Sequence, residues 1–239
     1  MRGIILAGGK GTRLLPVTKV TNKHLIPILN KPMIEYPIQT LYALGCRDVL
    51  VVTGGDHIGD IAMYLGDGSD RGMHFTFKIQ PEAGGIAQAL ALAEDFAHDE
   101  NVAVILGDNV FENKGIIEFN KFDLLKANLF VKKVKNPNRF GVLSSENGKY
   151  LIEEKPEYPK SNDAVTGLYI YPPDVFDIIK TIEPSARGEM EITDVNNAYI
   201  EMDRCIGNNI GDAFWSDAGT PESLYEVTRW VYNRDYYAG

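Results

Sequence analysis

Four short apolar runs, residues 3–6, 49–53, 75–79 and 102–106, alternate in the first half of the chain with helical spacing near 33–44, 58–65 and 86–96. Continuous Val/Ile/Leu runs of that length suit strands buried on both faces, and strand–helix alternation suits parallel strands joined by right-handed crossovers. This half therefore predicts a doubly wound, mostly parallel, Rossmann-like α/β sheet that takes its ligands beyond the carboxyl ends of its strands. The second half is less regular. Strand candidates at 129–134, 142–144, 150–153, 165–171 and 205–210, with helices at 174–182, 192–202 and 222–237, predict a mixed-sheet extension. No internal repeat or long polar linker marks a boundary, so a single domain over residues 1–239 is expected.

Charge is spread unevenly along this frame. The chain carries 24 Lys and Arg against 33 Asp and Glu, a net charge of −9. Residues 1–34 hold six of the cations (Arg2, Lys10, Arg13, Lys19, Lys23 and Lys31) and no acid, which leaves 18 cations and all 33 acids, a net of −15, for residues 35–239. The acidic body argues against nucleic acid or an anionic membrane as partner, while a local cation cluster suits a small polyanion. No apolar run reaches the ~18 residues of a membrane span, and the apolar stretch 3–7 is too short for a secretory signal, so a cytoplasmic protein is expected. Cys46 and Cys205 read as reduced packing residues. His24, His57, His74 and His98 lack the short spacing that puts two on one helix face for a metal.

Directly after the first strand candidate comes Leu6-Ala7-Gly8-Gly9-Lys10-Gly11-Thr12-Arg13-Leu14. Absent side chains let backbone N–H groups approach phosphate oxygens, and Lys10 and Arg13 supply countercharge. The spacing is neither the dinucleotide G-x-G-x-x-G nor a Walker loop. Taken alone, the same loop also fits a plain strand-to-helix turn.

The sequence continues with Pro16-Val17-Thr18-Lys19, Asn22-Lys23-His24-Leu25-Ile26-Pro27-Ile28 and Lys31-Pro32-Met33-Ile34-Glu35-Tyr36-Pro37. This segment resembles the opening of the sugar-nucleotide pyrophosphorylases, the sugar-1-phosphate nucleotidyltransferases, and most of all the short-form glucose-1-phosphate thymidylyltransferases of dTDP-rhamnose synthesis. Further similar motifs follow in order: Gln80-Pro81 with Gly85-Ile86-Ala87-Gln88-Ala89, Leu106-Gly107-Asp108-Asn109, Phe140-Gly141-Val142, Glu153-Glu154-Lys155-Pro156, Val165-Thr166-Gly167-Leu168-Tyr169, Ser185 to Asp194, and Trp215-Ser216-Asp217-Ala218-Gly219-Thr220. They span nearly the whole chain.

The resemblance implies a nucleotidyltransferase type A-like fold, with a nucleotide-binding half over about 1–110 and a sugar-binding half over about 111–239. It also implies a Mg²⁺-dependent reaction of dTTP with glucose 1-phosphate. A sugar phosphate, with a second pKa of about 6, needs no general base, so such a site asks for cations rather than a catalytic histidine or serine. By resemblance Arg13 grips the triphosphate and the departing pyrophosphate, Lys23 lies at the α-phosphate and Lys155 holds the sugar phosphate. Leu6, Ala7, Gly8, Gly9, Gly11, Thr12, Arg13, Gln80, Gly85 and Asp108 are the implied nucleotide contacts. The implied sugar-phosphate contacts are Lys23, Gly141, Glu154, Lys155, Val165, Tyr169 and Trp215. Asp108, just past the strand candidate 102–106, and Asp217, in an aromatic-flanked turn, are the expected Mg²⁺ ligands, since a hard cation needs only one or two carboxylates besides phosphates. Lys19 and Lys31 read as solvated, and Glu189 and Glu191 as structural.

Two positions depart from the family pattern: His24 stands where Gln is frequent, and Ala83-Gly84-Gly85 where Pro-Asp-Gly is frequent. The second departure leaves a UTP-dependent uridylyltransferase as the alternative, and a non-catalytic sugar-nucleotide sensor as a more remote one. In the segment 222–237, Leu224, Val227 and Val231 form a docking face, whereas Trp230, Tyr232, Tyr236 and Tyr237 read as aromatic surface, so a homo-oligomer is expected. Longer relatives build a second nucleotide site from a segment beyond this helix. The chain stops at Gly239, so dTDP-rhamnose is expected to inhibit weakly and only in competition with substrates.

Overall fold

The computed structural model describes residues 1–117, 122–146 and 148–237, with the side chains of Ile117 and Tyr237 outside the description. Strands β1 (Arg2–Ala7), β2 (Asp48–Gly54), β3 (His74–Gln80) and β4 (Val102–Leu106) run parallel in the order β4-β1-β2-β3. The later strands are β5 (Ala127–Lys133), β6 (Gly141–Glu146), β7 (Lys149–Glu154), β8 (Asp163–Tyr171) and β9 (Cys205–Asn209). β8 joins antiparallel to β4 and then branches, to β6 and β7 on one side and to β5 and β9 on the other. A single nine-stranded sheet thus draws on both halves of the chain, parallel where alternation predicted it and mixed beyond.

The apolar runs are continuous because both faces of the sheet are covered. Successive strand side chains point to opposite faces, so Ile4, Leu6, Leu50, Val52 and Val104 enter one core layer, while Ile5, Ala7, Val49, Val51 and Ile105 enter the other. Helices α1 (Glu35–Ala43) and α2 (Ile58–Leu65) cover the second layer through Ile38, Leu41, Ile61 and Leu65. Helices α3 (Ile86–Ala91) and α4 (Ile192–Glu201) cover the first through Ala87, Leu90, Val195 and Tyr199. Each such Val, Leu or Ile, fully buried, stabilises the fold by about 1.5–3 kcal/mol over its exposed state. Burial also pushes the thiols of Cys46 and Cys205 up to about 12, and both cysteines are free.

Several expectations need correction. The helix over 86–96 is two helices, Ile86–Ala91 and Glu94–Ala97. No α-helix follows the glycine-rich loop; the 3-10 turns Thr12–Leu14, Val17–Lys19 and Lys23–Leu25 do. Asp217 closes a strand, Trp215–Asp217, that pairs antiparallel with Asn109–Phe111, rather than lying in a turn. Three-residue strands carry no readable alternation, and only their partner makes them strands.

Helix α5 (Pro221–Tyr237) docks as its spacing predicted: Val227 and Val231 are fully buried against Leu14, Ile26, Ile28 and Met33, with Leu224 packed beside them. The hydroxyl of Thr220 accepts from Ser223 N at 3.2 Å and ends the chain's approach to this helix. Trp230 is not free surface, because it stacks on Phe214 at 4.3 Å. Tyr232 and Tyr236 do face outward, joined by Tyr225; the side chain of Tyr237 lies outside the described residues. Among the described residues no helix is long and apolar enough to cross a membrane.

Candidate active site

The carboxyl ends of the parallel strands open onto a cleft of two adjoining pockets that share Ile86, Leu106, Asp108, Glu154 and Lys155 as walls. Asp108 sits two residues past the end of β4. The pairing of Asn109–Phe111 with Trp215–Asp217 sets Asn109 opposite Asp217, and Ala218 N donates to the Asp108 carbonyl at 2.7 Å. Two carboxylates 109 residues apart in sequence therefore meet at one point. Gly219 defines that point: a Cβ there would lie 3.2 Å from Asp217 Oδ2, 3.3 Å from Asp108 Oδ2 and 3.0 Å from Arg13 Nη2.

Asn109 braces the pair. Its Oδ1 accepts from Trp215 Nε1 at 2.7 Å and from Gly167 N at 3.0 Å, which turns its Nδ2 to donate to Asp108 Oδ1 at 2.9 Å. The register of β8 against β5 shifts between Val165 and Tyr169, where Gly167 admits this amide. Such an irregularity re-aims side chains next to a site.

The two acids differ electrostatically. Burial pushes the Asp108 carboxyl up, but the charge and 2.5 Å hydrogen bond of Lys23, helped by His24 and Asn109, outweigh it and hold the group well below the usual carboxylate range. Burial and the neighbouring Asp108 push Asp217 up to about 6, against the opposing charges of Arg139, Arg13 and Lys23. Arg139 Nη2 reaches both Asp217 oxygens, at 3.0 and 3.3 Å. His24 is buried, and burial with the charge of Lys23 pushes its imidazole down to about 3, so the ring is neutral. Its Nδ1 is 2.9 Å from Asn22 Oδ1.

One pocket collects the residues expected to touch sugar phosphate: Gly141, Glu154, Lys155, Val165, Tyr169 and Trp215, together with Arg13 and both acids. Glu154 Oε2 accepts from Thr193 Oγ1 at 2.5 Å, and its Oε1 pairs with Lys155 Nζ at 3.0 Å. Lys155 adopts φ +46, a left-handed conformation that non-glycine residues hold only when neighbours impose it, and its N–H donates to the Phe140 carbonyl at 3.0 Å.

Leu6, Gly8, Gly9, Lys23, Gln80 and Gly85 wall the adjoining pocket, and Ala7 and Lys10 lie on its outer side with Gln80. Gly8 is bare because a Cβ would sit 2.4 Å from Gln80 Oε1. Gly11 and Thr12 carry the loop into the turn that presents Arg13, with the Gly11 carbonyl accepting from Thr18 Oγ1 at 2.9 Å. Lys19 is exposed and Lys31 half-buried. Glu189 and Glu191 also wall this pocket. Glu191 ties down Ser185 and Arg187, at 2.8 and 2.7 Å, as a structural role requires.

Sequence reasoning missed Arg139, Asn109 and Thr193 as site groups. Arg139 and Asn109 adjoin motifs that were read, Phe140-Gly141 and Asp108, but a lone arginine or asparagine carries no spacing signal. Among the described residues, no cluster of three or more His, Cys, Asp or Glu forms a metal cage.

A parallel sheet presenting paired carboxylates and converging cations at its carboxyl edge defines a phosphate-handling enzyme site. The chain belongs to the nucleotidyl transferase family, which it matches over residues 2–234. It is 44% identical over 237 residues to glucose-1-phosphate thymidylyltransferase of Neisseria meningitidis, a match covering 97% of this chain and 82% of that one. The enzyme of the same name from Mycolicibacterium smegmatis is 40% identical over 236 residues, with 97% and 82% covered. Among solved structures, a Bacillus anthracis chain provisionally described as a glucose-1-phosphate thymidylyltransferase, in complex with a sucrose, superposes with a TM-score of 0.89 at 45% identity, covering 100% of this chain and 97% of that chain. UDP-glucose pyrophosphorylase complexed with UDP-glucose superposes with a TM-score of 0.82 at 26% identity, covering 98% of each.

Proposed function

We propose that this chain transfers a thymidylyl group from dTTP to glucose 1-phosphate, giving dTDP-glucose and pyrophosphate, with Mg²⁺ held by Asp108 and Asp217. The observation that carries this reading is the meeting of both carboxylates at Gly219, inside a cleft walled by Arg13, Lys23, Arg139 and Lys155. Names borne by relatives 44% and 40% identical over nearly the whole chain support the same substrates.

The residues fit the metal. A cradle that a Cβ would fill is edged by two carboxylate oxygens, the ligand type a hard cation selects, and the raised pKa of Asp217 marks a carboxyl short of positive charge. When bound, Mg²⁺ neutralises triphosphate oxygens and charge developing on the leaving pyrophosphate. The protein's own groups do the rest. Lys155 and Arg13 sit on the pocket of the sugar phosphate and neutralise the two anionic reactants. Lys23, on the adjoining pocket and paired with Asp108, is placed to reach the α-phosphate between them. The sugar phosphate oxygen attacks in line, already ionised, and no protein base is needed.

Pyrophosphate release, measured with Mg²⁺, glucose 1-phosphate and each of dTTP, UTP, CTP, ATP and GTP, tests the reading, and dTTP should give the highest kcat/KM. Preference for UTP would favour a uridylyltransferase, a second reading supported by the likeness to UDP-glucose pyrophosphorylase. Binding without turnover would indicate a sensor. We also read the outward face of Tyr225, Tyr232 and Tyr236 as the contact of a homo-oligomer, to be checked by light scattering.

A further inference from the structure

Gln80 is buried on the floor of the nucleotide pocket, and an amide there can present either a carbonyl oxygen or an NH₂ group to a ligand. The hydrogen-bond network decides which. The starting point is unambiguous: the backbone N–H of Gly84 can only donate, and it lies 3.0 Å from the side-chain amide of Gln88. The Gln88 atom facing it is therefore the oxygen. That same oxygen is 2.9 Å from the Gln80 amide, so the Gln80 atom on this side must be the nitrogen. The second hydrogen of that nitrogen points to the Gly85 carbonyl, at 3.5 Å. Both donors of Gln80 are thus consumed behind the pocket wall. Its Oε1 faces the other way, over the bare Cα of Gly8. The close fit extends to Gly84, where a Cβ would lie within 2.3–2.6 Å of the Gln88 amide.

We infer that Gln88 is a positioning residue that fixes the direction of the Gln80 amide and thereby makes the pocket select bases carrying an N–H at their pairing edge. Thymine and uracil offer N3–H to the oxygen of Gln80. Cytosine presents a bare N3, an acceptor facing an acceptor, and is rejected. A site built to hydrogen-bond a substrate N–H discriminates strongly against the analogue that lacks it, because its own polar group is left unpaired in a buried place. The inference deepens the proposed function and rests on its placing of the base at Gln80. The plainer role for Gln88 is a helix-start contact, since a Gln three residues into a helix reaches back to backbone N–H groups.

The test is the ratio of kcat/KM for dTTP and CTP in the wild type, in Gln88→Met, which keeps length and loses the acceptor, and in Gln88→Glu, which keeps an acceptor for both Gly84 and Gln80. The wild type should favour dTTP over CTP by about a hundredfold or more. In Gln88→Met the Gln80 amide is free to turn, and the ratio should fall by about tenfold or more, while Gln88→Glu keeps a ratio close to the wild type. A helix-start role alone would lower thermal stability, or both rates together, with the ratio unmoved; that result overturns the inference. So does a wild type that uses CTP as readily as dTTP, a measurement that needs no variant. If Gln88→Met does not fold, Gln88→Leu replaces it. Turnover of UTP but not dTTP would refute thymidylyl transfer and leave the relay standing, because uracil carries the same N–H. Should nothing be turned over, calorimetric affinities for dTTP and CTP supply the same ratio.

Discussion

Asp108 and Asp217 meet at Gly219, their Oδ2 atoms 3.3 and 3.2 Å from the point where a side chain on that residue would begin. Each carries its own cation, Lys23 at 2.5 Å from Asp108 and Arg139 at 3.0 Å from Asp217. Two buried acids so close hold charge only while such partners, or a metal, stay near. The arrangement leads to four expectations.

Asp108→Asn and Asp217→Asn should each lower turnover by about a hundredfold or more, because each removes a charged group aimed at the reacting phosphates. Circular dichroism should show both variants folded. Gly219→Ala fills the cradle itself and should weaken Mg²⁺ activation most visibly as a raised Mg²⁺ requirement. Near-normal rates in either Asn variant would sink the metal assignment.

Lys155→Ala should act chiefly on sugar 1-phosphate, and Arg13→Ala chiefly on dTTP and pyrophosphate, seen as separate changes in the kinetic constants of each substrate. The two side chains reach the cleft from different elements, the end of β7 and the turn Thr12–Leu14. Equal effects on both substrates would contradict this division.

Mg²⁺ binding should follow the ionisation of Asp217. With its carboxyl pushed up to about 6, a growing fraction is protonated as the pH falls through that value, and a metal ligand must be deprotonated. Affinity should rise with pH up to about 6 and level off above it. Arg139→Gln removes an opposing positive charge and should move the midpoint upward; a midpoint near 4 in the wild type would refute the assignment.

His24→Gln should reduce acid sensitivity. Buried neutral with its pKa pushed down to about 3, His24 takes up a proton on unfolding once the pH drops below its ordinary value of 6.5. Its contribution to stability is whole above about 6.5 and is lost as the pH falls toward 3, by up to about 1.4 kcal/mol per pH unit. Between pH 7 and pH 5 the wild type should therefore lose about 2 kcal/mol more than the variant in urea unfolding. Parallel losses in both proteins would show that His24 is protonated in the fold.

The sequence by itself determined the parallel core. The strand candidates 102–106 and 49–53 coincide with β4 and β2 to within a residue at each end, because strands buried on both faces must be apolar at every position, and that is a local property. The docking face Leu224, Val227 and Val231 was legible for the same reason, as was the charged glycine-rich loop ahead of Arg13. Only the tertiary structure decided what meets what. Asp217 leaves its expected turn for a strand because Asn109–Phe111 lies beside it, and Arg139, in the loop before Phe140, finds its partner 78 residues away. The direction of the Gln80 amide depends on a backbone N–H at Gly84 acting through Gln88. Contacts of long sequence separation and the orientation of symmetric polar groups are set by packing and by donor–acceptor matching in three dimensions, and no spacing in the chain encodes them.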